Sequence, residues 1–136
     1  MQLFVVEEQE KIKVKFFEHN FVEAIESGIY GIYIEKNKTK KLLYVGESVF
    51  ILVRCATYLY EIAKGKGYLG FTKEILNDND ITLIFELLLL ESDVAVRKKQ
   101  EKEIIKKRLP LLQSGNSDRV KSVEDMICEL TDLLNK

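Results

Sequence analysis

Histidine, cysteine and proline are scarce in this 136-residue chain, and each scarcity excludes something. With one histidine, His19, and two distant cysteines, Cys55 and Cys128, no ligand-spaced His/Cys zinc cluster can be drawn. Two thiols are too few for a disulfide framework, and both are expected to act as small buried apolar groups in a reducing compartment. The single proline, Pro110, marks a helix end. Long apolar runs are also lacking. Residues 3–6 are too short for a signal peptide and acid follows them, while residues 81–90 are too short to span a bilayer and contain Glu86. A soluble, cytoplasmic protein with no membrane partner is expected. Finally, neither sign of charge dominates: 21 Lys+Arg against 22 Asp+Glu leave a net charge of −1. That total speaks against a uniformly basic nucleic-acid binder.

The near-zero total hides a pattern. Residues 1–27 carry 3 basic and 6 acidic side chains, residues 28–110 carry 15 and 11, and residues 111–136 carry 3 and 5. A basic centre therefore lies between acidic ends. Local potential governs affinity for phosphate, because charges beyond roughly 8–10 Å are screened. The apolar share of 46% and the charged share of 32% suit a globular chain, and the length suits one domain, residues 1–136, with a core that needs no staples.

Periodicity gives the elements. Residues 3–6 and the alternating stretch 11–16, with Ile12, Val14 and Phe16 on one face, read as an N-terminal hairpin turned by residues 7–10. A short helix over 21–26, capped by His19 or Asn20, precedes Ser27-Gly28. A second hairpin follows, with strands at 29–35 and 42–45 around an exposed lysine-rich loop, 36–41. A helix over 49–63, capped by Glu47 or Ser48, a helical turn near 72–76, and an apolar strand over 81–88 come next. Ser92 or Asp93 caps a long helix ending near Leu109. Residues 119–134 carry Val120, Val123, Ile127, Leu130 and Leu134 in one amphipathic stripe, which packs back on the domain or serves a dimer or partner subunit.

Two charges sit oddly in these elements. Arg54 is the single charge within 49–60, and its helix face includes Tyr58 four residues on. A buried guanidinium needs an anion, so Arg54 is either paired with Glu61 or Glu47, snorkelled to water, or a phosphate clamp. Glu101 lies on the stripe defined by Val94, Ile104 and Ile105, with Arg97 and Arg108 in its sector. It is either ion-paired with Arg97 or a divalent-cation ligand. Lys98, Lys99, Lys102, Lys106 and Lys107, with Lys36, Lys38, Lys40 and Lys41, make up the basic centre, either as a solvated face or as a phosphate-tracking surface.

The order and spacing of these residues resemble a known pattern. Gly31-Ile32-Tyr33, ten residues, Tyr44-Val45-Gly46, then Arg54 and Tyr58, and finally Glu101 with Pro110 nine residues on, resemble the GIY-YIG endonuclease family over a core of about 28–113. Residues 1–27 and 114–136 lie outside that core. Spacing favours the second copy of the tandem Gly28-Ile29-Tyr30/Gly31-Ile32-Tyr33 repeat, and it places Tyr30 on the opposite strand face from Tyr33. The resemblance implies an α/β (α+β) fold: a small central antiparallel sheet flanked by helices, here with an extra N-terminal hairpin and C-terminal helix. It implies hydrolysis of DNA phosphodiesters with one Mg²⁺ or Mn²⁺ held by Glu101. Arg54 would bind the phosphate oxygens, Tyr33 or Tyr44 would position or deprotonate water, and Tyr58 would relay a proton or orient phosphate. Gly46, Ser48, Gln113 and Asn116 would support the phosphate. Two residues depart from the family: Glu47 stands where the excision-repair branch often has Lys, and Gln113 stands where the family has Asn. They keep open an alternative, a catalytically weak or inactive nucleic-acid-binding or regulatory module of the same fold.

Overall fold

The computed structural model describes residues 5–6, 9–112, 128, 130 and 132–134. In chain order its elements are β1 (Val5–Val6), β2 (Gln9–Glu10), β3 (Lys13–Phe16), a 3-10 turn (Glu23–Ile25), β4 (Gly28–Lys36), β5 (Thr39–Ser48) and α1 (Ile51–Ala63). They continue with β6 (Lys66–Tyr68), β7 (Phe71–Thr72), α2 (Lys73–Leu76), β8 (Thr82–Leu90) and α3 (Val94–Arg108). The fold is α+β. A four-stranded sheet in the order β3-β8-β4-β5 forms its centre, and two small ladders, β1-β2 and β6-β7, stand apart from it.

The β-branched and aromatic run at 29–34 occupies a central strand, as its composition requires. β4 pairs antiparallel with both β5 and β8. The sheet is not wholly antiparallel, because β3 joins it parallel to β8, with Val14 opposite Leu83 and Phe16 opposite Phe85. The N-terminal hairpin is correspondingly smaller than the alternation suggested. Val5–Val6 pairs with Gln9–Glu10, and the alternating lysine strand goes to the main sheet.

Side chains from the two faces of the sheet form two cores. On one face Tyr30, Ile32, Ile34 and Leu43 meet Ile51, Cys55 and Ile62 of α1. On the other, Ile29 and Val45 meet Ile105 of α3, with Leu42, Leu88 and Ile104 around them. The sheet is thus layered between α1 and α3. Each fully buried aliphatic side chain contributes about 1.5–3 kcal/mol through removal from water. Residues 128, 130 and 132–134 are helical, and Leu130, Leu133 and Leu134 belong to the α1-side core. Two positions of the C-terminal stripe, Leu130 and Leu134, therefore pack back on the domain, with Leu133 beside them. Val120, Val123 and Ile127 lie outside the described residues.

Several local expectations change. The lysine-rich stretch 36–41 is not an exposed loop, because the strands run on until a two-residue turn at Asn37-Lys38, both at positive φ (52° and 66°). That geometry matches the twist of the flanking strands. Lys36 is buried, donating to the Asp78 carboxylate at 2.9 Å and to the Leu134 carbonyl. The helix over 21–26 shrinks to the 3-10 turn, with no side-chain cap. In α3, Asp93 is the cap, accepting from the Val96 N–H at 2.9 Å, and Leu109 closes the helix in the left-handed conformation before Pro110. Val94 is half exposed, so the apolar stripe of α3 is narrower than its sequence suggested, and the most buried residue on this helix is Arg97. Cys55 is buried as expected, but Cys128 is exposed. Among the described residues, no helix is long and apolar enough to cross a membrane.

Candidate active site

The register of β4 and β5 decides which tyrosines meet. Tyr30 lies opposite Gly46 and Ile32 opposite Tyr44, and a bulge then shifts the pairing so that Tyr33 faces Leu42. Directly paired residues share a face, and so do residues two apart on one strand. Tyr30, Ile32 and Tyr44 therefore point to the α1 side. Tyr58 of α1 closes the group, with ring centroids 6.1 Å from Tyr30 and 5.5 Å from Tyr44. Tyr30 and Tyr44 are 6.4 Å apart, and Tyr68 extends the row at 6.2 Å from Tyr58.

Tyr33 does not join this group of rings. It points to the α3 side of the sheet. There its hydroxyl accepts from Arg108 Nη1 at 2.9 Å, and the Lys40 ammonium sits 4.5 Å from its ring centre. Tyr30 is the β4 tyrosine that meets Tyr44 and Tyr58. It does lie on the opposite face from Tyr33, but that face is the one carrying Tyr44. Spacing alone could not show which face each tyrosine takes, because the register shifts between Ile32 and Tyr33. Facing Tyr30, Gly46 has a physical role: a Cβ there would collide with the Tyr30 hydroxyl. Gly28 is similarly constrained, since a Cβ would strike the Leu89 carbonyl, whereas a Cβ at Gly31 would meet only the ends of side chains.

The electrostatics of the cluster follow from burial. Desolvation comes first, then hydrogen bonding to Tyr58, in pushing the Tyr30 and Tyr44 hydroxyls well above the usual phenol range. Both stay protonated at neutral pH. Glu101 adds negative potential at Tyr44. This carboxylate is half-buried and has no ion pair among the described residues. Burial, then the Glu47 charge, raise its pKa against the pull of Lys98, the Glu47 N–H and Lys102.

The expected Arg97–Glu101 pair is replaced by another. Arg97 Nε donates to Glu47 Oε2 at 2.6 Å, and Arg97 Nη1 donates to the carbonyls of Glu91 and Ser92, each at 3.2 Å. Lys98 stands 3.5 Å from the other Glu47 oxygen. Burial alone would raise the Glu47 carboxyl, but Arg97 and Lys98 outweigh it and hold the group below the usual carboxylate range. Glu47 therefore neither caps α1 nor pairs with Arg54. Arg54 is exposed and forms no ion pair among the described residues, and Glu61 pairs with Lys64 instead. Arg54 stands one helical turn before Tyr58 on α1. Ser48 is buried, and its Oγ accepts from the Phe50 N–H at 3.0 Å, so it stabilises the entry to the helix. Gln113 and Asn116 lie outside the described residues.

A single carboxylate that forms no ion pair among the described residues suits a hydrated hard cation. Mg²⁺ keeps several waters and takes one or two protein carboxylates. Among the described residues, no group of three or more His, Cys, Asp or Glu side chains could enclose a metal. Tyr30 and Arg97 are residues of this region that spacing did not single out. Arg97 carried no sequence signal beyond its position on the α3 stripe, and Tyr30 was hidden by its neighbour in the repeat. No known family's sequence profile matches the chain, and no curated protein or solved structure matches it either.

Proposed function

We propose that the protein is a divalent-metal-dependent endonuclease of GIY-YIG type acting on DNA, with Tyr30, Tyr44, Tyr58, Arg54 and Glu101 as its working residues. The observation that carries this reading is the convergence of three tyrosines from β4, β5 and α1, with Tyr44 in the field of a carboxylate, Glu101, that forms no ion pair among the described residues. A phenol kept neutral by burial donates a hydrogen bond, so Tyr44, with the Tyr58 hydroxyl beside it, would orient the attacking water and a phosphate oxygen and pass a proton along the two hydroxyls. Arg54, free of a carboxylate partner, would bind the non-bridging phosphate oxygens with its planar fork. Glu101 would hold Mg²⁺ or Mn²⁺. When bound, such an ion supplies Lewis-acid polarisation of the phosphate and stabilises the leaving oxygen. The exposed lysines of α3 would track the backbone of the nucleic acid.

Plasmid nicking tests this reading. Cleavage is expected with Mg²⁺ or Mn²⁺ and not with EDTA. It should be lost in Glu101→Gln, reduced about 10²–10³-fold in Arg54→Ala, and left near the wild-type rate in Tyr33→Phe. Salt-sensitive DNA binding without metal-dependent nicking would instead favour the non-catalytic module.

A further inference from the structure

At the end of the fold where β4 begins, β5 hands over to α1 and β8 stops, the surface is apolar, and the chemistry proposed above does not use it. Phe21, Val22, Ile25, Val49, Phe50 and Val53 are each at least half exposed. Single exposed apolar residues need no explanation, whereas a contiguous group does. The segments carrying these residues are tied together by backbone hydrogen bonds: the Ile51 N–H donates to the Glu26 carbonyl and the Glu91 N–H to the Ser27 carbonyl. Between them runs an open cleft of about 620 Å³, with Ile25, Val49, Phe50 and Leu90 in its walls and Glu26 and Glu91 beside them.

The charge around this cleft is of one sign. Residues 17–27, 49–53 and 87–96 carry Glu18, Glu23, Glu26, Glu91 and Asp93 and not one lysine or arginine. In a chain with 21 Lys+Arg, that is a marked local exclusion. The flanking cations do not reverse it. Arg97 is buried against Glu47, and Arg54 stands one turn beyond Phe50 along α1, outside the walls of the cleft. Phosphate and anionic lipid would both be repelled here. A second copy of the chain docking by the same face would set these acids against themselves.

We propose that the cleft docks a short amphipathic helix of a partner protein, with apolar side chains inserted along one face and lysines or arginines meeting the acidic rim. A helix presents such anchors at i, i+3 or i+4, and i+7, and the wall residues of the cleft offer matching apolar surface. Complementary charge at the rim sets orientation and speeds encounter. This inference stands independently of the nuclease reading.

The test is selection from a displayed library of helical peptides against the full chain, with counter-selection on a Phe50→Ser/Ile25→Ser variant shown by thermal melt to be folded. Enriched peptides are expected to carry net positive charge and apolar residues at helical spacing. A synthetic peptide of the enriched sequence should shift the amide resonances of residues 21–27, 49–53 and 89–93. Its affinity should fall about ten-fold in Phe50→Ser and again in Glu26→Lys/Glu91→Lys, the size of a substantial interface contact. No enrichment, enrichment of neutral or acidic peptides, or resonance shifts confined to other surfaces would overturn the proposal. Self-association in sedimentation velocity that Phe50→Ser abolishes would also overturn it, by assigning the cleft to a second copy.

Discussion

At the scale of single residues, the tyrosine cluster depends on what is missing beneath it. The Tyr30 ring lies where a Cβ on Gly46 would have to go, so Gly46→Ala is expected to cost roughly 1–3 kcal/mol through overpacking. Gly31→Ala, which meets only movable side-chain ends, should cost less. Urea titration of the two variants separates them, and equal losses would remove the special role given to the Tyr30–Gly46 contact. Glu101 is the converse case, a charge whose neighbours do not satisfy it. Its pKa is raised above the ordinary 4.5, so the native state binds more protons than the unfolded chain between that value and the folded pKa. Its contribution to stability therefore falls as pH rises through that window. Glu101→Gln removes the unfavourable ionisation and should raise Tm at neutral pH by roughly 2–4 °C. Mg²⁺ should raise the wild-type Tm and leave that of Glu101→Gln unchanged, because a ligand that binds only the native state stabilises it by mass action. A fall in Tm on removing this carboxylate would show that it is satisfied after all.

At the scale of elements, two connections hold the layers in place. Arg97 links α3 to the edge strand β5 through Glu47 and to the chain entering α3 through the Glu91 and Ser92 carbonyls. Arg97→Ala would strand a half-buried carboxylate next to Glu101, and a loss of about 3 kcal/mol is expected. Replacing both Arg97 and Glu47 with methionine should recover much of it, and a double variant as unstable as the single one would count against this account. The Asn37-Lys38 turn carries its own strain, since Lys38 adopts φ 66°. Lys38→Gly is expected to gain about 1 kcal/mol by chemical denaturation. These two connections also show what could be read from the chain beforehand. The strand at 29–34, α1, β8 and α3 were legible because apolar periodicity and the Asp93 cap are local signals. The parallel place of β3 was not, because alternation shows which face is buried and says nothing about which strand lies alongside. Tyr44, Tyr58 and Glu101 were legible as candidates from spacing, and the structure brings the rings of Tyr44 and Tyr58 together. The face that Tyr33 takes was not legible, because a bulge and an extended hairpin change register without changing composition.

At the scale of the whole molecule, the nearly balanced charge resolves into separate territories: an apolar and acidic end, a lysine-bearing α3, and a few buried or half-buried pairs inside. The pairs set the response to acid. Burial alone would raise the Asp78 carboxyl, but the hydrogen bond and charge of Lys36, with the Asp80 N–H, hold it below its ordinary value of 3.8, just as Arg97 and Lys98 hold Glu47 below 4.5. For both groups the unfolded chain binds protons more readily than the native protein. The stability they confer is thus fully present above about pH 4–5 and is lost as pH falls through their folded pKa values. Glu101 acts in the opposite direction and begins to weaken the fold above about pH 4.5. Together they place the stability maximum of the metal-free protein on the mildly acidic side of neutrality. Thermal melts across about pH 3–8 should show a steep acid limb and a shallow decline toward neutral pH. Asp78→Asn should flatten the acid limb because it removes one of the carboxylates that must be protonated there. It should also lower Tm at neutral pH, since Lys36 would keep its buried place with only a neutral amide and the Leu134 carbonyl as acceptors. Glu101→Gln should leave the acid limb intact and abolish the decline above it. If both variants shifted the profile uniformly at every pH, these carboxylates would not be the groups that couple folding to protons.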